Sequence, residues 1–183
     1  SEFSGAQAWY ECQPDLTALG KAIGGGFPVG ALAGRKDVMD VMNPLAEKLL
    51  FPHSGTFSAN PITLTAGLAS MKAFDKKAIK RLNKLTKRLI TGLESAIDKT
   101  GIKACVTGGG SMFRVHFKEQ PPRNYRETFT SEQENHMIKA QLDHMFSSGF
   151  LMINTCAGVL STPMREQEVD AFVGAMQEGF QKL

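Results

Sequence analysis

Three consecutive glycines followed by Phe27-Pro28 limit the fold of the amino-terminal part of this chain more than any other feature. Gly24 to Gly26 favour no single backbone conformation, and the residue before a proline is disfavoured in the α region. A helix therefore does not continue across this segment. The pattern over residues 14–34 predicts a strand, an irregular turn and a second strand.

Two later segments carry apolar residues at spacings of three and four, which is typical of helices. The first, Pro61 to Phe74, is predicted to be a buried helix, and the second runs from about Lys76 to Lys99. Gly101 predicts the end of the second helix, because glycine tolerates left-handed geometry. The apolar stripes are Leu64, Leu68, Met71 and Phe74 in the first helix, and Ile79, Leu82, Leu85, Leu89, Leu93 and Ile97 in the second.

Beyond residue 101 the apolar pattern changes period, and Ser111 to Lys118 alternates between two faces. Lys103 to Thr107, Ser111 to Lys118 and Phe150 to Asn154 are predicted strands. Glu132 to Ser147 and Glu166 to Lys182 are predicted helices, and the acidic start of the last one suits the helix dipole. Helices packed on a small sheet are expected, so the predicted fold class is α/β.

Charge and cysteine usage exclude several classes of protein. Basic residues concentrate between 76 and 88, but no aromatic or glycine-rich reader motif accompanies them, so a solvated helix face is favoured over an RNA- or lipid-binding surface. No apolar run approaches the ~20 residues that cross a bilayer. Cys12, Cys105 and Cys156 are predicted to be reduced thiols of a cytosolic protein, and no zinc-like spacing predicts a metal site.

Lys21 is the candidate catalytic residue of the glycine-rich segment. Leu16, Leu19, Ala22 and Ile23 lie close to it in sequence, so we expect its amine to be partly desolvated, which favours the neutral form that attacks a carbonyl. A nucleotide-binding loop has its glycines before a Gly-Lys-Ser/Thr element, whereas here the glycines follow the lysine. The alternative from the local pattern is a solvated lysine in a surface turn.

Two motifs, in the same order, resemble those of the class III, fold-type I aminotransferases, and the likeness is closest to the glutamate-1-semialdehyde 2,1-aminomutase branch. A weaker likeness covers nearly all of the rest of the chain, including 110–113 and 161–164. The motifs are Asp15-Leu16-Thr17 with Gly20-Lys21, Gly24-Gly25-Gly26, Pro28-Val29-Gly30-Ala31 and Gly34-Arg35, and then Gly55-Thr56-Phe57-Ser58-Ala59-Asn60-Pro61 with Ala66-Gly67.

The resemblance implies the carboxy-terminal part of a pyridoxal-phosphate (PLP)-dependent transferase. Residues 1–74 would belong to the large PLP-binding domain and 75–183 to the small α+β domain, with a connecting helix over 75–100. Lys21 would form a Schiff base with pyridoxal 5'-phosphate and shuttle a proton. Gly55 and Thr56 would bind the phosphate of the cofactor in the other subunit of a homodimer. A helix-capping hydroxyl is the alternative for Thr56.

The implied reaction is an amino-group transfer within one small substrate, as in the aminomutases. The loop before Gly55 and the segment 154–159 differ from the aminomutase pattern, so an aminotransferase acting on another amino donor and keto acid stays open. Arg114 could clamp a substrate carboxylate, although a surface arginine on the polar face of a strand is the alternative. A cytoplasmic protein without a nucleic-acid or membrane partner is expected.

The sequence shows no counterpart of three family features on the amino-terminal side: an Asp for the pyridinium nitrogen, a phosphate-binding turn and an aromatic residue stacked on the ring. The segment from Phe3 to Gln7 resembles the stretch just after that Asp. We therefore expect these 183 residues alone to be catalytically inert and a longer parent protein to be active. A scaffold that keeps the fold without binding a cofactor is a further alternative.

Overall fold

A computed structural model describes residues 5–183, so most of the Phe3 to Gln7 segment is covered but Phe3 and Ser4 lie outside the described residues. The described chain divides into two compact units, one that ends at Ala78 and one that extends from Ile79 to Leu183. The assignment of 1–74 and 75–183 to the two domains of a PLP enzyme stays a prediction. Among the described residues, no helix combines the length and the apolar character needed to cross a bilayer.

The first unit contains a short helix, α1 (Ala6–Trp9), followed by an antiparallel hairpin of β1 (Leu16–Gly20) and β2 (Gly30–Gly34). Leu16 lies opposite Gly34 and Gly20 opposite Gly30. A 3-10 turn, Lys21–Gly24, follows β1 directly. The predicted order of strand, irregular turn and strand is therefore confirmed.

Two helices complete the first unit, α2 (Lys36–Met39) and α3 (Pro61–Ala73). The helix predicted from Pro61 is confirmed, but its predicted buried stripe is wrong: Leu64 is 56% exposed and Leu68 57% exposed. The face that packs within the unit carries the small residues Thr63 and Gly67, because only a small side chain lets the 3-10 turn approach the helix.

The second unit is built on α4 (Lys76–Thr100), whose predicted apolar stripe is buried throughout, with Leu89 and Leu93 fully shielded from solvent. Gly101 ends the helix at φ 68°, as the sequence predicts. Every buried apolar side chain in residues 5–183 lies at or beyond Ile79. The apolar core of the described chain therefore lies in this unit. Burial of each large side chain of this kind stabilises the folded state by about 1.5–3 kcal/mol relative to an exposed side chain.

A three-stranded antiparallel sheet, in the order β3 (Cys105–Gly109), β4 (Met112–His116) and β5 (Ala157–Val159), completes the core with α5 (Glu132–Ser147) and α6 (Glu166–Phe180). The predicted helix over Glu132 to Ser147 is confirmed. Its first turn is closed by Ser131 and Glu134, each of which accepts a backbone N–H of the other.

The strand predicted over Phe150 to Asn154 is wrong. Only Ile153 forms an isolated bridge there, and the strand that pairs with β4 is β5. Gly158 lies opposite Phe113 in this pairing, and a Cβ at Gly158 would lie 2.7 Å from the Phe113 ring. The sheet therefore selects the segment that offers glycine beside Phe113, and not the more apolar segment.

The basic residues of α4 interact extensively with the start of α6. Arg88 donates to both carboxylate oxygens of Asp170 at 2.7 Å, and Lys84 lies 3.6 Å from Glu166. Arg81 donates to the carbonyl oxygens of Thr162 and Met164. Part of the basic face that was predicted to be solvated is therefore paired with acidic residues and carbonyl groups of the same unit.

Candidate active site

Lys21 begins the 3-10 turn immediately after β1 in a left-handed backbone conformation, at φ 57°. Such a conformation is unfavourable for a residue with a Cβ, of the order of 1–3 kcal/mol, and persists only where the surrounding structure enforces it. The side chain is exposed, and it forms no hydrogen bond or ion pair with any other residue in 5–183. The prediction that neighbouring leucines shield its amine is wrong for this chain, because Leu16 and Leu19 are themselves exposed.

The turn that carries Lys21 rests on α3 through backbone contacts. A Cβ at Gly67 would overlap the carbonyl oxygen of Ile23, and a Cβ at Gly25 would overlap that of Ala66. Ser70 Oγ also donates to the carbonyl of Ala22 at 3.4 Å. Sequence reasoning missed this contact surface. Its signal was present as small residues at helical spacing: Thr63, Ala66, Gly67 and Ser70.

Gly55 and Thr56 lie in an exposed loop that leads into α3. The loop is closed by Ser58 N–H donating to Gly55 O at 2.9 Å. Asn60, not Thr56, caps the helix, since its Oδ1 accepts the N–H groups of residues 62 and 63 at 3.0 and 3.2 Å. The capping alternative for Thr56 is therefore wrong. Its hydroxyl and the N–H groups of Gly55 and Thr56 have no partner within the described residues.

Arg114 lies at the centre of β4, in the second unit, opposite Thr107 on β3 and Ala157 on β5. It is half-buried, and its Nε is shielded from solvent without a hydrogen-bond partner among residues 5–183. No carboxylate in that range forms an ion pair with it. Such a guanidinium can take an anionic group, since a shielded donor without a partner is costly.

His116 lies on the same face of β4 as Arg114, and its Nε2 is 2.9 Å from Thr107 Oγ1. Burial, with the positive charges of Arg114 and Lys118, lowers its pKa to about 4. The ring is therefore neutral at physiological pH. Burial also raises the pKa of the Cys156 thiol to about 12, although the positive charge of Arg114 acts in the opposite direction. Neither group is available as a proton carrier at neutral pH.

These residues are suited to bind PLP in two respects. Lys21 offers an exposed primary amine without a competing partner among residues 5–183, on a glycine-rich turn. The loop at Gly55 and Thr56 offers backbone N–H groups and a hydroxyl that can bind phosphate oxygens. Within residues 5–183, no group of three or more His, Cys, Asp or Glu side chains is placed to hold a metal ion.

The family model described as aminotransferase class-III matches residues 3–160. In agreement with its fold and motifs, the chain therefore belongs to the class-III aminotransferases. Glutamate-1-semialdehyde 2,1-aminomutase from Methanosphaera stadtmanae is 32% identical over 181 residues, and that from Laribacter hongkongensis is 33% identical over 182. Each alignment covers 98% of this chain but only 42% of the relative.

Solved structures agree with this assignment. An omega-transaminase from Sphaerobacter thermophilus is 39% identical, with a TM-score of 0.96, over 99% of this chain and 41% of the other. A transaminase with PLP bound is 30% identical, with a TM-score of 0.87, over 97% of this chain and 40% of the other. The predicted fold-type I class is confirmed, and the chain corresponds to a portion of these proteins. Its place as the carboxy-terminal portion stays a prediction.

Proposed function

We propose that the protein containing this chain is a PLP-dependent enzyme that transfers an amino group, with glutamate-1-semialdehyde 2,1-aminomutase as its activity. The observation that carries the proposal is the exposed Lys21 amine, without a partner among residues 5–183, on the glycine-rich turn of a class-III aminotransferase chain. Bound PLP supplies an aldehyde carbon and an electron-withdrawing ring. Lys21 Nζ would hold the cofactor at its aldehyde carbon, with water as the leaving group, and its amine, once displaced by the amine of the substrate, would carry the proton that leaves the substrate carbon.

Gly55 and Thr56 bind the cofactor phosphate through their N–H groups and the Thr56 hydroxyl. Their exposure in a loop that bonds mainly to itself and to α3 supports binding to the cofactor of a second subunit, so we infer a homodimer. Arg114 binds the carboxylate of a small amino acid or keto acid, since its guanidinium has no carboxylate partner among the described residues. The cytoplasm is the proposed location, in keeping with three free cysteines.

The experiment is reduction of the PLP-saturated intact protein with borohydride, followed by peptide mapping of the cofactor adduct. We expect the adduct on Lys21 and its loss in Lys21→Ala. Lys36→Ala is the matched control, because Lys36 is a second exposed lysine of the first unit, and it should keep the adduct. An adduct on another residue, or no adduct, would refute the role of Lys21.

A second reaction has support from the 39% identity to an omega-transaminase, which exceeds the 32% and 33% identities to the two aminomutases quoted above. In that case the protein takes its amino group from a separate donor and passes it to a keto acid. Turnover of glutamate 1-semialdehyde without any second substrate supports the mutase, whereas a requirement for a donor and acceptor pair supports the transferase. For the 183 residues alone, we expect no Lys21-dependent turnover of either kind.

A further inference from the structure

We infer that Gly67 is a positioning residue for Lys21: the notch on α3 formed by Thr63, Ala66, Gly67 and Ser70 sets the backbone of the turn that presents the amine. We call this set of four residues the α3 notch. The inference rests on the proposed role of Lys21 and adds a group that acts on it through the backbone. It concerns the first unit only.

The contact between turn and notch is made largely by backbone atoms, so it leaves little room for adjustment. The Ile23 carbonyl occupies the place of a Cβ on Gly67, and the Ala66 carbonyl occupies that of a Cβ on Gly25. The buried Thr63 adds its methyl group on the side of Gly24, 3.7 Å from where a Cβ would stand there. Side chains at these contacts could rotate away, whereas carbonyl groups move only with their peptide planes.

The helix is the firmer of the two elements. It has 13 residues and an Asn60 cap, while the 3-10 turn has four residues. A methyl group added at Gly67 is therefore accommodated mainly by displacement of the turn. Lys21 begins that turn in its left-handed conformation, two residues before Ile23, so displacement releases the constraint on its backbone.

Such a displacement acts on the reaction through the direction of the amine. A misplacement of about 1 Å from a change remote from the chemistry can reduce a rate by about 100-fold. By contrast, helix propensity alone predicts that alanine at position 67 is tolerated or favourable, because alanine is the better helix former. The two views therefore give opposite expectations for one substitution.

The test compares Gly67→Ala with Gly174→Ala in the intact protein. Gly174 also lies within a helix, α6, and a Cβ there meets nothing within 4 Å. The first measurement needs no cofactor: the rate of reductive methylation of Lys21, mapped by mass spectrometry and divided by the rate at Lys36. The second is the apparent Kd for PLP and the pH profile of the visible absorbance of the bound cofactor.

We expect Gly67→Ala to change the relative methylation rate of Lys21 by severalfold, to weaken PLP binding and to shift the pH profile, while Gly174→Ala resembles the unchanged protein. Equal methylation rates and equal pH profiles in the two variants would overturn the inference. If Gly67→Ala does not fold, as judged by circular dichroism, Thr63→Ser decides: a smaller change at Lys21 supports the notch, and no change overturns it.

These outcomes are separable from those of the proposed function. If the unchanged protein shows no adduct on Lys21, the proposed role of the lysine fails, yet the methylation rates still measure how Gly67 sets its exposure. If the adduct forms and Gly67→Ala equals Gly174→Ala in these measurements, the proposed function stands and only the role of the α3 notch fails.

Discussion

The pairing of β5 with β4 depends on the absence of a side chain at Gly158, and Gly158→Ala tests this directly. The new Cβ would lie 2.7 Å from Phe113 Cζ and 2.8 Å from Cε1. Phe113 has little freedom to move, because it is 5% exposed and packs edge to face on Phe172, with ring centroids 5.4 Å apart. Phe150 also packs edge to face with Phe172, with ring centroids 5.4 Å apart.

Overpacking of this kind costs about 1–3 kcal/mol of unfolding free energy. We expect Gly158→Ala to lose this amount in urea unfolding followed by far-UV circular dichroism, which reports on the helices of the second unit. Gly174→Ala is the matched control: it lies within α6, a Cβ there meets nothing within 4 Å, and alanine is favoured in a helix by about 1 kcal/mol.

A double-mutant cycle identifies the source of the loss. In a Phe113→Leu background, Gly158→Ala should cost less than in the unchanged protein, with a coupling of about 0.5 kcal/mol or more for residues in contact. If Gly158→Ala costs no more than Gly174→Ala, or if its cost is the same in both backgrounds, the contact with Phe113 does not determine which segment pairs with β4.

Three further predictions concern single side chains. Leu89→Ala removes a fully buried side chain of α4 and should cost about 2–5 kcal/mol in the same urea assay. Asn60→Ala removes the cap of α3 and should cost about 0.5–2 kcal/mol, measured by hydrogen exchange of amides in the first turn of that helix. His116 has a folded-state pKa of about 4, below its ordinary 6.5, so the folded state binds fewer protons and loses stability as the pH falls from about 6.5 to about 4. His116→Gln should reduce this loss in urea unfolding measured across that range, and an unchanged pH dependence would contradict the assignment.

The helices of the second unit could be predicted because their packing partners are regular and belong to the same unit. The stripe from Ile79 to Ile97 is buried as predicted, and its exposed face carries charges that meet those of α6. Ser131 and Glu134 mark the start of α5 by a local pattern that needs no tertiary contact. Periodicity and capping both involve residues within one or two helical turns of each other, so both can be recognised in the sequence itself.

Two features could not be predicted from periodicity. The stripe of Leu64 and Leu68 has the spacing of a buried face, but spacing does not specify which surface meets a helix, and α3 turns its small residues toward the Lys21 turn. The segment at Phe150 is more apolar than β5, but β4 pairs with β5, where Gly158 lies close to Phe113. Both outcomes depend on backbone proximity between segments distant in sequence.

The candidate site likewise has features that the sequence predicts and features that it does not. The motifs identified Lys21, Gly55 and Thr56 as candidate residues, which the structure places on a turn and in a loop, while their roles stay predictions. The left-handed conformation of Lys21 and the contact of Gly67 with Ile23 are properties of the folded backbone, and no residue pattern reports them.

The absence of buried apolar side chains before Ile79 in the described chain has a consequence for its dynamics. The hairpin of β1 and β2 relies mainly on strand hydrogen bonds near water, whereas α4 is shielded by a core. Amide protons of the hairpin should therefore exchange with deuterium through low-energy local opening, while those around Leu89 and Leu93 should exchange only when the second unit unfolds as a whole.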